Sequence, residues 1–142
     1  MISRNWVLIS SVIPWSPIAR GLLAKPISAS SLRSETDGFL KVLFSDEMRE
    51  SEKEIINRVE ALAKKRSVSM AQIAIAWVLS KDGMWTNSHE CWLIAVVTAP
   101  IVGMNSEDRI KDMVAAVNLE LTEEEKKYLE EPYVPRPIAG HS

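Results

Sequence analysis

The sequence predicts a mostly helical α/β fold built from two successive strand-loop-helix units. Two apolar runs are typical of buried strands: residues 6–9 with Val12 and Ile13, and residues 96–102. Pro14 and Pro17 close the first run and Pro100 marks the edge or start of the second, because proline cannot donate to a strand ladder. A helical pattern follows each run, which gives the order strand, loop, helix twice.

The first helical pattern begins after residue 45, where charged residues surround apolar ones at the spacing of an amphipathic helix. This helix is predicted to end near Arg66. Its apolar positions are Ile55, Ile56, Val59, Leu62 and Ala63.

A second helix is predicted from a capping box formed by Ser69 and Gln72. Val68 is placed to pack onto Ile73, and residues 73–79 are apolar on most faces. We therefore expect a buried helix that ends before Gly83, with this glycine as its C-terminal cap.

Two further helices are predicted after the second strand. Thr122 and Glu125 form another capping box, and Pro132 terminates the short helix that follows. Ser106 is placed to cap the earlier helix, whose predicted apolar face is Ile110, Met113, Val114 and Val117.

Residues 25–44 are serine-rich and lack periodicity, which predicts a loop long enough to serve as a lid or binding loop. Residues 132–142 form a proline-rich tail. There is no internal repeat and no linker-like stretch, so residues 1–142 are interpreted as a single domain.

The composition is that of a globular protein with a real core, at 142 residues with 46% hydrophobic and 25% charged side chains. A net charge of -2 with dispersed lysines and arginines argues against nucleic-acid binding. No apolar run approaches the roughly 20 residues of a membrane span. One cysteine excludes an internal disulfide, so a reduced, cytoplasmic protein is expected.

Three blocks in order resemble the end of the aldo-keto reductase superfamily: residues 14–21, residues 69–79, and residues 100–103 with 106–113. The ending 129–135 is similar to that of fungal and bacterial members. This resemblance implies the C-terminal portion of a (β/α)8 TIM barrel, with the last two strand-helix units plus a terminal helix, and therefore an incomplete barrel. It also implies NADP as the cofactor.

Loops after the last strands of such barrels commonly form a phosphate site with a helix N-terminus. At Gly103 the backbone can approach a ligand closely, and Arg109 falls on the first turn of the next helix, where it would clamp the adenosine 2′-phosphate. The resemblance places the pyrophosphate and ribose along the first loop and the nicotinamide near Trp15. The predicted cofactor-binding residues are Trp15, Ser16, Pro17, Ile18, Ala19, Arg20, Gly103, Asn105, Arg109, Asp112 and Met113.

Local pattern alone allows other roles for three of these residues. Arg109 would equally be a solvated arginine beside Asp108 and Asp112. Trp15 would equally be a core aromatic residue, and Pro17 a turn former.

Members of this superfamily use a tyrosine as the proton donor, assisted by a lysine, an aspartate and a histidine from the first barrel strands. Tyr128 and Tyr133 lie in the terminal helix and tail, and His89 and His141 do not match the motif either. No catalytic residue is assigned. The predicted function is NADPH-dependent reduction of an aldehyde or ketone, the small-molecule carbonyl substrate of full-length relatives, in a chain that holds the cofactor loops only.

Two alternatives remain open at this point. One is a non-catalytic remnant or a nucleotide-binding or interaction module, and the other is an unrelated small helical interaction protein. An incomplete barrel leaves apolar surface uncovered, which predicts self-association.

Residues 84–96 depart from the family pattern and are interpreted as a non-family insertion. His89 and Cys91 within it lack the second ligand pair of a zinc site, so no metal is expected.

Overall fold

The computed structural model describes residues 6–29, 48–81, 84–88 and 91–135. Over these ranges the chain is an α/β protein in which helices contribute most of the ordered structure. The elements in chain order are β1 (Trp6–Val12), a short 3-10 helix (Ala19–Ala24), α1 (Glu50–Arg66), α2 (Met70–Leu79), β2 (Met84–Ser88), β3 (Cys91–Val97), α3 (Glu107–Ala116) and α4 (Glu123–Glu130).

The three strands form one sheet in the order β1-β3-β2. β1 and β3 are parallel, with register from Trp6 opposite Cys91 to Val12 opposite Val97, and β2 is antiparallel to β3. The segment predicted to be an insertion therefore supplies β2 and most of β3. Its foreign origin stays a prediction.

The predicted second strand at 96–102 was wrong in position, because β3 ends at Val97. Pro100 explains the difference, since it has no N–H to donate and also restricts the residue before it. Pairing with the first strand resumes beyond the proline as one isolated parallel bridge between Trp15 and Ile101.

The helical core lies between α1, α2 and α4. Ile73 of α2 is fully buried at its centre. The cluster around it comprises Ile56, Val59, Leu62, Ala63, Met70, Ala76, Leu121 and Leu129, with Val68 packed against it. The apolar periodicity of α1 and the capping of α2 are confirmed.

The caps of α2 and α4 form as predicted. Ser69 Oγ accepts from Gln72 N–H at 3.1 Å, and Thr122 Oγ1 accepts from Glu125 N–H at 3.2 Å. α2 ends before Gly83 as predicted, but the predicted cap was wrong, because the helix stops at Leu79 with Ser80 as its C-cap. Gly83 lies outside the described residues.

The predicted apolar face of α3 is only partly correct. Met113 and Ala116 are buried in a second cluster with Ala71 and Ile75 of α2. The remaining face is exposed, because the contacts of α3 with α2 are made through the side that carries Met113 and Ala116. The exposed side chains are Ile110, Val114 and Val117, at 48%, 61% and 68% of full accessibility.

Most of the predicted 25–44 loop lies outside the described residues. Among the helices that the structure describes, none combines the length and apolar character needed to cross a membrane.

Candidate functional site

The two predicted cofactor loops meet at the carboxyl ends of the parallel strands β1 and β3. Thr98 N–H donates to the Val12 carbonyl at 3.1 Å, and Ile101 N–H donates to the Pro14 carbonyl at 3.0 Å. Because both loops leave the same edge of the sheet, their first residues are neighbours. The tertiary structure thus joins two segments that are far apart in sequence.

The first loop is a compact turn with an unusual backbone. Ser16, Ala19 and Arg20 have positive φ values of 56°, 49° and 55°, and Gly21 follows at 100°. The left-handed region is sparsely populated by residues other than glycine, so the surrounding contacts must hold this conformation. One such contact is the hydroxyl of Ser16, which accepts from Arg20 N–H at 3.0 Å.

Trp15 lies at the mouth of this loop and is 63% exposed, so its interpretation as a core aromatic residue was wrong. The guanidinium of Arg20 lies over its ring at 5.9 Å from the centroid. This cation–π contact holds one charged and one aromatic group together at the surface. Pro17 is half-buried in the turn between them.

Ile18 precedes the short 3-10 segment, which begins at Ala19 and is kinked at Arg20 and Gly21. Ile18 packs against the α2–α3 cluster, as does Val102 from the second loop. The bases of both loops are therefore anchored on the same apolar cluster.

The second loop leads into α3, whose N-cap Ser106 accepts from Arg109 N–H at 3.4 Å. Arg109 is exposed, and its Nη1 donates to Asn105 Oδ1 at 2.7 Å. This bond fixes the guanidinium over the start of the helix. Gly103 is open on its Cβ side, with no atom within 4 Å of the position that a Cβ would take.

Acidic side chains share this first turn. Glu107 pairs with Lys111 at 2.7 Å, and Asp108 is also exposed. Any preference of this site for an anion must come from Arg109 and the backbone amides, because the acidic side chains oppose it.

Asp112 and Met113, also predicted to bind the cofactor, make internal contacts. Asp112 Oδ2 accepts from the Ser69 hydroxyl at 2.7 Å, and its carbonyl accepts from Gln72 Nε2 at 3.0 Å. Met113 is 9% exposed and packs in the α2–α3 cluster. Their cofactor role stays a prediction.

A separate charged cleft of about 540 Å³ lies between the C-terminal end of α2 and α4. Glu130 there accepts from Trp77 Nε1 at 2.9 Å and from Lys81, and the hydrogen bond from Lys81 is the main reason that the pKa of Glu130 lies below its ordinary value. The acidic and basic side chains that line this cleft form ion pairs with one another, so we interpret the cleft as a set of contacts that stabilise the packing of α2 and α4.

Tyr128 of α4 does not line this cleft, and Arg58 of α1 stacks on its ring at 4.7 Å from the centroid. Hydrogen bonds from Arg58 to Glu131 and Glu54 raise the pKa of Arg58 and lower that of Glu131. His89 and His141 lie outside the described residues. Over the described ranges there is no group of three or more histidine, cysteine, aspartate or glutamate residues arranged to hold a metal.

The family model of the aldo/keto reductases matches residues 10–133, a range that contains both loops. The chain belongs to the aldo/keto reductase family. It is 50% identical over 129 residues to versiconal hemiacetal acetate reductase of Aspergillus parasiticus, and this match covers 90% of this chain and 34% of that protein. It is 46% identical over 125 residues to a putative aryl-alcohol dehydrogenase of Saccharomyces cerevisiae, and this match covers 88% of this chain and 32% of that protein.

Among solved structures, the chain is similar to the glycerol dehydrogenase of Gluconobacter oxydans, with 25% identity and a TM-score of 0.55. That likeness covers 93% of this chain and 37% of the dehydrogenase. The chain thus spans about a third of the length of the aldo/keto reductases that it matches.

Sequence reasoning missed two features of this candidate site. One is the stacking of Arg20 on Trp15, and the other is the pair of bonds from Ser69 and Gln72 to Asp112. The capping box predicted the local roles of Ser69 and Gln72. The hydrogen bonds that they donate to Asp112 of α3 depend on how the two helices pack.

Proposed function

We propose that this chain forms the cofactor-phosphate-binding part of an NADPH-dependent aldo/keto reductase that reduces an aldehyde or ketone to an alcohol. The observation that carries the proposal is the meeting of the two loops at the ends of β1 and β3, with Arg109 held by Asn105 at the start of α3. Relatives named as a reductase and a dehydrogenase support the reaction class. In this proposal the chain is the last part of a (β/α)8 barrel and works in the cytoplasm.

The donors at the site suit a phosphate group. Arg109 offers an exposed guanidinium, whose planar fork matches phosphate oxygens. The N-terminal amides of α3 lie at the positive end of a helix dipole, and Gly103 leaves room for close approach. Since the neighbouring acids reduce the net attraction, Arg109 is expected to dominate binding of the 2′-phosphate and to favour NADP over NAD.

The first loop would hold the other parts of the cofactor. Within the loop the N–H groups of Ala19 and Arg20 already donate to Ser16. The groups proposed to face the cofactor are therefore the Ser16 hydroxyl proton, the Ile18 N–H and the exposed ring of Trp15. When bound, the cofactor supplies the hydride. The protein groups described here bind and orient it, and proton transfer is assigned to none of them.

The experiment compares two variants of α3 that remove the same charge. Arg109→Met is expected to raise the dissociation constant for NADPH about tenfold or more, because it removes a charge-assisted hydrogen bond to the 2′-phosphate. The dissociation constant for NADH is expected to stay unchanged. Lys111→Met is the matched control, because Lys111 is exposed on the same helix and pairs with Glu107. Binding is measured by calorimetry and by the rise in melting temperature that NADPH produces.

Gly103→Ala adds an independent test of the loop. Its added Cβ meets no atom in the protein, so the melting temperature should be unchanged while NADPH binding weakens. A wild-type chain that binds NADPH and NADH equally, or an Arg109→Met chain that behaves like Lys111→Met, contradicts the proposal.

A second candidate is a non-catalytic nucleotide-binding or interaction module. The observation that favours it is the exposed apolar side of α3, which is suited to association. Turnover of a simple aldehyde by the isolated chain excludes this candidate, whereas NADPH binding without turnover is expected for both candidates.

A further inference from the structure

The capping box of α2 is bonded to α3 as well as to its own helix. Ser69 Oγ accepts from Gln72 N–H at 3.1 Å and donates to Asp112 Oδ2 at 2.7 Å. Gln72 Oε1 accepts from Ser69 N–H at 3.2 Å, and its Nε2 donates to the Asp112 carbonyl at 3.0 Å. Each member of the box thus uses one polar atom for its own helix and directs a donor to the same residue of α3.

The residue types in this box are what make the second set of bonds possible. The box of α4 has glutamate in place of glutamine, and the Glu125 carboxylate accepts from Arg66 at 3.3 Å. A carboxylate has no donor for a carbonyl oxygen, whereas the amide of Gln72 does. Glutamine and glutamate serve the capping function itself equally well.

These bonds add directional contacts to a helix whose other inward contacts, among the described residues, are apolar. The inward contacts of α3 are the apolar side chains of Met113 and Ala116, and dispersion contacts are not directional. The bonds to Asp112 are directional, and Asp112 lies one turn beyond Arg109. Rotation or sliding of α3 would break them and would also move Arg109 and its partner Asn105.

We propose that Ser69 and Gln72 are positioning residues for the cofactor phosphate, acting through Asp112 to set the placement of α3 and the Arg109 guanidinium. This inference rests on the proposed function for its ligand, while the coupling between α2 and α3 stands on the contacts alone. It assigns a role in cofactor selection to two residues that make no direct contact with the proposed phosphate site.

Gln72→Glu retains the acceptor of the capping box and removes the donor to Asp112. Because it also adds a negative charge near the Asp112 carboxylate, its effect must agree with that of the uncharged Ser69→Ala. Ser69→Ala removes both the cap and the other bond, and Ser69→Thr retains the hydroxyl. Thr122→Ala is the matched control, since it removes the same kind of cap from α4. All variants are made in the full 142-residue chain.

Two readouts are measured for each variant. Amide hydrogen exchange is measured without nucleotide. The exchange rate in α3 is expected to rise for Gln72→Glu and Ser69→Ala. For Thr122→Ala it is expected to rise in α4 and to stay unchanged in α3. The dissociation constant for NADPH is expected to rise about fivefold for the first two, equivalent to about 1 kcal/mol, with that for NADH unchanged. Ser69→Thr should restore both values toward the wild type.

The outcomes separate this inference from the proposed function. If exchange in α3 is the same in Gln72→Glu, Ser69→Ala and Thr122→Ala, the positioning role is overturned whether or not NADPH binds. If α3 loosens and NADPH affinity still matches that of the Thr122→Ala control, the link to the cofactor phosphate is overturned. If the wild-type chain does not distinguish NADPH from NADH, the proposed function fails, and the role in cofactor selection fails with it.

Discussion

Replacing Ile73 with alanine tests whether the helical cluster is the folding core of this chain. Ile73 is fully buried, between α1 and the segment around Leu121 and Leu129. The substitution removes three carbon groups, and each buried group contributes about 0.8 kcal/mol, which gives about 2.4 kcal/mol before any cavity remains. With a residual cavity included, substitutions of this kind lose about 2 to 5 kcal/mol in total, and we expect about 3 kcal/mol here.

The assay is urea denaturation followed by far-UV circular dichroism, with the free energy of unfolding extrapolated to water. Ile73→Val should lose only about 0.5–1.5 kcal/mol, because the site keeps most of its volume. Lys65→Ala is the surface control on an exposed position of α1 and should change stability by less than about 0.5 kcal/mol. If Ile73→Ala loses no more than Lys65→Ala, the cluster is not the core that holds the helices together.

Two further predictions concern charge and association. Glu130→Gln removes the negative charge that faces Lys81. The pKa of Glu130 in the folded protein lies below its ordinary value of 4.5. The ionised carboxylate therefore stabilises the folded protein above pH 4.5, and this contribution is lost as the pH falls through the folded pKa. Because the Glu130 side chain is 41% exposed, the free energy of unfolding of the variant at pH 7 should be lower by at most about 1 kcal/mol. This difference should disappear in acid. Denaturation curves that differ by the same amount down to low pH would contradict the prediction. The wild-type chain should self-associate in sedimentation velocity through the exposed side of α3, and Val114→Glu should reduce the association; a monodisperse wild-type monomer would disprove the prediction.

The helices of this protein were predictable because their signals are local. The capping boxes at Ser69 and Thr122 act over three residues, and the apolar spacing within α1 repeats every turn. Each of these patterns specifies its own helix without reference to the rest of the chain. The first strand was predicted for a similar reason, as an apolar run closed by a proline.

The misplaced second strand and the exposed side of α3 have a different origin. Apolar residues at Ile110 and Val114 predict a buried face, but burial requires another element to cover it. The position of β3 depends on its pairing with β1 through Val12 and Val97, beyond which Pro100 interrupts the ladder. Neither the covering element nor the pairing register is encoded within a short window.

Local patterns in the sequence were enough to predict two turn-forming loops after apolar runs, helices with defined starts, and a family resemblance that the comparison with known proteins established. Long-range packing adds the meeting of the loops at the Trp15–Ile101 bridge, the exposed position of Trp15 next to Arg20, and the bond between Asp112 and the α2 capping box. Caps and periodicity are interactions over three or four residues, whereas the candidate site joins groups that become neighbours only when strands pair and helices pack.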